Sequence, residues 1–410
     1  MNGMAQQESN MAQQDAMASA ASRLAGLISI RDLDIAGIKR IMQLSDSFSE
    51  VLGRDIPKLP TLRGKTLAIV FAEDSTRTRT SFEIAAKRLS MDVVTLNASQ
   101  SSLKKGETLR DTLKNLHAIG ADAFAVRHSS AGVPAQATRW LPVPVINAGD
   151  GCHEHPTQAL LDCYTIRQHF APAIGAGQSR EPVSSLRYAR NGTAGTEPDS
   201  SGSTASIGSG VAQTDLECFK KLRVAIVGDI EHSRVARSLV AALDILGART
   251  VLVAPKTLLP RSQAGWPSEM STSLDEVLPS VDVCYILRLQ RERGTGMYVP
   301  TLREYYSYYG IDERRYAMLP DHAVIMHPGP LNRGVEIDNT VADSPKSLIL
   351  RQATSGVAVR MAVLYLLLGH NTGTWKADDR SVGALPRDNT GRDTTTESTS
   401  QIGLPEAADA

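Results

Sequence analysis

Cysteine is scarce: the chain of 410 residues has four, at Cys152, Cys163, Cys218 and Cys284. They are too few and too scattered for a disulfide framework or a CxxC metal site, and a reduced, cytoplasmic setting is the expectation. An excess of either charge is also missing. Lys plus Arg (44) balance Asp plus Glu (44), which excludes a generally basic nucleic-acid binder and an acidic solvating tail. Any anion site must therefore be a local cluster. Long apolar runs are lacking too: the most apolar stretch, 361–369, is far too short to span a bilayer. The first twenty residues carry no cationic side chain, the first being Arg23, so neither half of a secretory signal is there. A soluble protein with no membrane or nucleic-acid partner is expected.

What is present is ample core material, since 42% of the residues are hydrophobic. At roughly 150 residues per domain, the length suggests two or three domains. Residues 1–20 read as a disordered arm and 371–410 as a disordered tail. Residues 171–217 turn to Gly, Ser, Thr, Ala and Pro without periodicity, as a flexible insertion does. On either side of it, β-branched runs alternate with helical patterns. Buried strands are expected at 66–71, 92–96, 123–127 and 143–147, and again at 223–227, 250–254, 281–287 and 323–327. Helices are expected at 76–89 and 233–246, the second closed by Gly247 as a C-cap, and an amphipathic helix at 347–368 that packs back on the first half. Continuous apolar strands separated by helices form parallel sheets covered on both faces. The fold class expected is α/β, as two tandem doubly wound parallel-sheet domains.

Polar clusters follow the carboxyl ends of those strands: Ser75-Thr76-Arg77-Thr78-Arg79, Arg127-His128, the segment 147–158, the segment 228–234, Arg288-Leu289-Gln290-Arg291-Glu292-Arg293 and His327-Pro328-Gly329-Pro330. Ligands of open α/β sheets bind outside those ends, so one cleft between two domains is implied. The first cluster leaves a strand and opens a helix, where backbone N–H groups and the helix dipole converge and hydroxyls and a guanidinium join them. That is a phosphate seat. An ordinary N-cap needs one Ser or Thr; five consecutive Ser, Thr and Arg residues exceed that need. His155, beside Gln158, reads as catalytic rather than as a satisfied loop histidine. Arg288 directly follows a buried strand, which aims it at the cleft rather than into a surface pair with Glu292. His153, Glu154 and His155 make a metal-like trio without a further ligand set, so no metal site is assigned. His128 and Glu154 read as structural, and Cys163 and Cys284 as small core residues. A dinucleotide site at Val227-Gly228-Asp229 is set aside, because the loop has one glycine where the fingerprint needs three.

The run Phe71-Ala72-Glu73-Asp74-Ser75-Thr76-Arg77-Thr78-Arg79-Thr80-Ser81-Phe82-Glu83 resembles the signature of the carbamoyltransferases. His155-Pro156-Thr157-Gln158, Lys105-Gly106-Glu107-Thr108 and the Arg288–Arg293 run narrow the resemblance to aspartate carbamoyltransferase catalytic chains, over about residues 22–370. It departs at Asp74, where many relatives carry Pro, and at the insertion. The resemblance implies a carbamoyl phosphate-binding domain at 21–160, with the helix 347–368 returning to it, and an aspartate-binding domain at 161–346. Ser75, Thr76, Arg77 and Thr78 would hold the phosphate, with Arg127 beside it and reaching the carbonyl. His155 would donate to the carbonyl oxygen and Gln158 would accept from the carbamoyl NH2. Ser101 and Lys105, the latter otherwise a solvated surface charge, would enter from the neighbouring subunit of a homotrimer with shared sites. Arg234 would grip the α-carboxylate of aspartate, and Arg288 and Gln290 its β-carboxylate. Backbone carbonyls near Pro328 and Gly329 would orient the amine and the carbamoyl nitrogen, with Gly329 and Pro330 counted among the residues that bind carbamoyl phosphate. No cofactor is implied, and regulatory chains are a possible partner. The rivals are an ornithine carbamoyltransferase and a non-catalytic homologue. The first calls for an acidic or neutral second half and for Cys in both His-Pro loops, neither of which is here; the second is opposed by the full set of expected ligand residues.

Overall fold

The computed structural model describes residues 26–97, 106–171, 216–290 and 301–369. The arm, the tail, most of the insertion, Ser101, Lys105 and Arg291-Glu292-Arg293 lie outside them.

The first half is built from β1 (Gly26–Leu27), α1 (Ile35–Leu52), β2 (Thr66–Phe71), α2 (Thr76–Arg88), β3 (Asp92–Asn97), α3 (Leu109–Ile119), β4 (Ala123–His128), α4 (Val133–Trp140), β5 (Val145–Asp150) and α5 (Pro156–Phe170). Its five strands are all parallel, in the order β1-β5-β4-β2-β3. The second half has β6 (Arg223–Val227), α6 (Arg234–Leu246), β7 (Arg249–Val253), β8 (Glu269–Ser271), β9 (Val283–Ile286), α7 (Leu302–Tyr309), α8 (Glu313–Met318), β10 (Val324–Met326) and α9 (Ile349–Leu368). Its parallel sheet runs β10-β9-β6-β7-β8. The two parallel-sheet α/β domains are those expected. From Leu67 to Phe71 and from Val224 to Val227 every strand residue is buried, as sheets covered on both faces require.

Strand order places the site. After β3 the chain returns to the other side of β2, so β2 and β4 flank the reversal; in the second sheet β6 and β9 do the same. Crevices outside such reversals are where α/β sheets bind ligands. They are lined here by the residues after β2 and β4 and after β6 and β9.

Helix ends follow local chemistry. Ser233 caps α6 through the Ala236 N–H, and Gly247 closes it in the left-handed region at φ 80°, where an L side chain is strained. Three expectations need correction. β5 begins at Val145 rather than 143 and runs on to Asp150; Pro142 and Pro144 have no N–H to offer the ladder, and the residues Asn147 to Asp150, polar or small enough to pass for a loop, are buried. The strands expected at 281–287 and 323–327 are shorter, Val283–Ile286 and Val324–Met326, though Val281, Leu287, Ala323 and His327 beside them are still buried. The final helix is not amphipathic. From Ala358 to Leu364 all its residues are buried, because it packs on α1, α2 and α5 together. It does return to the first half. Among the described residues no helix is long and apolar enough to cross a membrane.

Candidate active site

Ser75 sits at the N-cap of α2 with extended backbone, yet its side chain makes no cap hydrogen bond, and the helix's first turn holds no acidic residue. The hydroxyl is therefore not spent on the helix, and the positive end of the dipole faces outward uncompensated. Thr78, one turn in, is buried. Arg77 is exposed, and its guanidinium lies against Gly329: a Cβ there would come 2.8 Å from Arg77 Cζ, and Gly329 has φ +67°. Desolvation, then the charge of Arg288, lowers the pKa of Arg77. The charge of Arg288, which follows β9, is thus felt at Arg77 beside the N-terminus of α2.

A second cluster adjoins β4 and β5. Glu73 Oε2 lies 3.3 Å from Arg127 Nε and bonds Arg234 Nη2. Arg127 Nη1 also donates to the Ala148 carbonyl at 3.3 Å. Both arginines press on Gly149, where a Cβ would meet Arg127 Nη1 at 3.0 Å and Arg234 Nε at 3.2 Å. Glu73 therefore ties a residue near the end of β4 to one opening α6. The signature contained Glu73, but a carboxylate in an anion site carries no sequence signal of its partner.

His155 N-caps α5, is 3% exposed, and neither ring nitrogen has a hydrogen-bond partner. Desolvation, then the charges of Arg127, Arg360 and Arg234, hold its pKa well below the ordinary histidine value. The imidazole is neutral at pH 7, with one N–H to donate. Its backbone N–H donates to Ser238 Oγ of α6 at 2.8 Å, and Ser238 Oγ donates to Glu154 Oε2 at 3.0 Å. Glu154 also accepts from Ser29 Oγ (2.7 Å) and the Ile30 N–H (3.0 Å), so its role is structural, as expected. Within the supposed metal trio the side chains go separate ways, His153 Nδ1 being paired with Asp150 Oδ2 at 3.1 Å.

On the second sheet's side, Asp229 is 1% exposed. Its Oδ2 accepts the Gln290 N–H at 3.2 Å and its Oδ1 meets His232 Nδ1 at 2.7 Å. This pins the segment after β9, and Gln290 Oε1 is buried without a partner. The loop 327–330 is held by His327, whose Nδ1 accepts the Gly329 N–H at 2.8 Å and whose Nε2 lies 3.3 Å from Glu336 Oε1. Gln158 Nε2 donates to Asp162 Oδ1 at 3.0 Å, leaving its carbonyl oxygen as an acceptor. Cys163 and Cys284 are fully buried core residues. Among the described residues no group of three His, Cys, Asp or Glu side chains is arranged to hold a metal.

The structure thus brings Arg77 beside Arg288 and Gly329, and Arg127 beside Arg234 and His155. Arg127, Arg234 and Arg360 surround His155, with Glu73 pairing only the first two, and Arg77 and Arg288 form a second cationic pair, local concentrations of positive charge on a neutral chain. Two family descriptions match in the same order: "Aspartate/ornithine carbamoyltransferase, carbamoyl-P binding domain" over residues 26–168, and "Aspartate/ornithine carbamoyltransferase, Asp/Orn binding domain" over 220–367. The chain belongs to the aspartate/ornithine carbamoyltransferase family.

Within that family it is similar to the aspartate carbamoyltransferase catalytic subunit of Acidothermus cellulolyticus, 48% identical over 343 residues covering 84% of this chain and 92% of the relative. The corresponding subunit of Streptomyces coelicolor is 46% identical over 347 residues, covering 84% and 95%. Among solved carbamoyltransferase structures, the catalytic subunit of M. jannaschii aspartate transcarbamoylase superposes with TM-score 0.65 at 32% identity, covering 85% of this chain and all of that one. The Trypanosoma cruzi aspartate transcarbamoylase in complex with N-(phosphonacetyl)-L-aspartic acid gives TM-score 0.66 at 26% identity, covering 85% and 97%.

Proposed function

We infer that this chain transfers the carbamoyl group of carbamoyl phosphate to the amine of L-aspartate, giving N-carbamoyl-L-aspartate and phosphate, a step of pyrimidine synthesis. One observation supports it above the others: a dry, neutral imidazole with both nitrogens unpartnered stands among the guanidiniums of Arg127, Arg234 and Arg360.

In this reading Ser75, Thr76, Arg77 and Thr78 hold the phosphate, and His155 donates to the carbonyl oxygen with Arg127 adding positive charge. Gln158 accepts from the carbamoyl NH2. Arg234, Arg288 and Gln290 hold the two carboxylates of aspartate, and carbonyls of Pro328 and Gly329 orient the amine. The amine nitrogen bonds the carbonyl carbon, the carbonyl oxygen takes up negative charge, and the C–O bond to phosphate then breaks. The leaving phosphate accepts the amine proton, so no protein base is required. Placing the two reactants is worth on the order of 7–11 kcal/mol, and one oxyanion donor roughly 3–4 kcal/mol. The second substrate is a dicarboxylate because the second half offers guanidiniums, which an ornithine ammonium would oppose. Ser101 and Lys105 enter from a neighbouring subunit of a cytoplasmic homotrimer, with regulatory chains as candidate partners.

Product formation from carbamoyl phosphate, with aspartate and ornithine offered separately, tests the reading. Carbamoyl-aspartate with no citrulline is expected; citrulline, or no product from either, overturns it.

A further inference from the structure

α5 leaves the site carrying Gln158, and one turn further on the same face it carries Asp162. Asp162 is fully buried, yet it is the meeting point of three elements. Its Oδ1 accepts from Gln158 Nε2 at 3.0 Å and from Gln352 Nε2 of α9 at 2.8 Å, and its Oδ2 accepts from Tyr285 Oη of β9 at 2.7 Å. Gln352 does not stop there: its Oε1 accepts the His327 N–H at 2.9 Å. One carboxylate therefore orients the amide of Gln158 directly and holds the backbone of the 327–330 loop through Gln352.

We propose that Asp162 is a positioning residue of the carbamoyl-transfer site, setting the Gln158 amide and the 327–330 loop in register from a single buried carboxylate. With Nε2 turned to Asp162, Gln158 presents its oxygen, the atom that must accept from a carbamoyl NH2. With Oε1 turned to His327, Gln352 has only its nitrogen left for Asp162, so that amide is locked from both ends. Packing alone does not account for the carboxylate. Burial raises Asp162 to about 7, against the hydrogen bonds from Tyr285, Gln352 and Gln158 and the charge of Arg360; an apolar side chain of that size would avoid this penalty. Three donors aimed at one oxygen pair accept no apolar replacement.

The inference rests on Gln158 lying in the carbamoyl site, and the test separates the two. In the full-length enzyme, kcat, KM for aspartate and the Kd of inorganic phosphate are measured for Gln158→Ala, Gln352→Leu, Asp162→Ala, Asp162→Asn and Thr165→Val. The last breaks the neighbouring α5–α9 bond from Thr165 Oγ1 to Ser355 Oγ (2.9 Å), which leads to no site residue. Gln352→Leu and Asp162→Ala are expected to lower kcat roughly 10- to 100-fold, the scale of a misplaced contact, with phosphate and aspartate binding within about threefold. Asp162→Asn is expected to recover most of kcat, because its Oδ1 still accepts both glutamines while its Nδ2 donates to Tyr285. Thr165→Val is expected to leave kcat alone. The inference is overturned if Gln352→Leu harms kcat no more than Thr165→Val, or if phosphate binding falls in step with kcat. Should Asp162→Ala fail to fold, the Gln352→Leu and Thr165→Val comparison decides. If Gln158→Ala has wild-type kcat, it is the site reading that fails.

Discussion

An imidazole sealed from water with neither nitrogen bonded is rare, since buried polar groups are normally paired; His155 is such a case. Its lowered pKa has a stability consequence. Below the ordinary histidine value of about 6.5 the unfolded chain takes up a proton there that the folded chain refuses, so this group's contribution to stability falls as pH falls. Compared with His155→Gln in urea titrations, the wild type is expected to lose ground below pH 6.5 by up to about 1.4 kcal/mol per pH unit. A constant difference between the two from pH 7 to 5 would mean that the ring is charged or exposed in the folded protein. The proposed roles divide the arginines by substrate. Arg77→Ala is expected to raise the carbamoyl phosphate KM roughly 10- to 100-fold, the worth of a charge-assisted hydrogen bond. Arg288→Ala is expected to raise the aspartate KM while leaving phosphate binding within a few-fold. Equal loss of both substrates in both variants would contradict that division.

At the scale of elements, the loop 327–330 and the N-terminus of α2 fit each other through one missing side chain. A Cβ on Gly329 would reach the flexible end of Arg77 rather than rigid backbone, so the arginine yields first. Gly329→Ala is thus expected to cost roughly 1–2 kcal/mol of stability for the left-handed backbone and to weaken carbamoyl phosphate binding about as much as a partial loss of Arg77. A variant with normal binding and a lowered Tm would reduce Gly329 to a turn residue. Strand legibility followed the same physics of neighbours. β2 and β6 were readable to the residue, because both are continuous apolar runs ended by polar clusters. β5 was not, because its second half, Asn147-Ala148-Gly149-Asp150, is polar or small; the strand is kept by bonds from Asn147 Nδ2 to the Ile28 carbonyl and to Asp150 Oδ1, which no local pattern announces. α9 misled in the other direction: a helix packed on three others loses the polar stripe that periodicity reads.

For the whole molecule, the proposed trimer makes a prediction that a monomeric site does not. If Lys105 of one chain completes the site that holds Arg77 of its neighbour, Arg77→Ala and Lys105→Ala trimers are each inactive but recover activity when dissociated together and reassembled. In a cyclic trimer every mixed assembly has one interface free of both substitutions, so about a quarter of wild-type sites return at equal mixing. No recovery would place both residues in sites within single chains. Whatever its assembly, each chain already draws its described site from both sheets, Glu73 spanning them through Arg127 and Arg234.

The amino-acid sequence alone determined what depends on near neighbours. Apolar runs make parallel strands, a cluster of Ser, Thr and Arg at a helix start reads as an anion seat, and the motifs mark the family. Tertiary structure decided which of those local features meet: Arg77 against Gly329, Arg127 with Arg234 across Glu73, and Asp162 with Gln352 at a separation of 190 residues. Such pairings arise because burial makes an unpaired charge or amide costly, and the partner is whichever group the two sheets bring within reach.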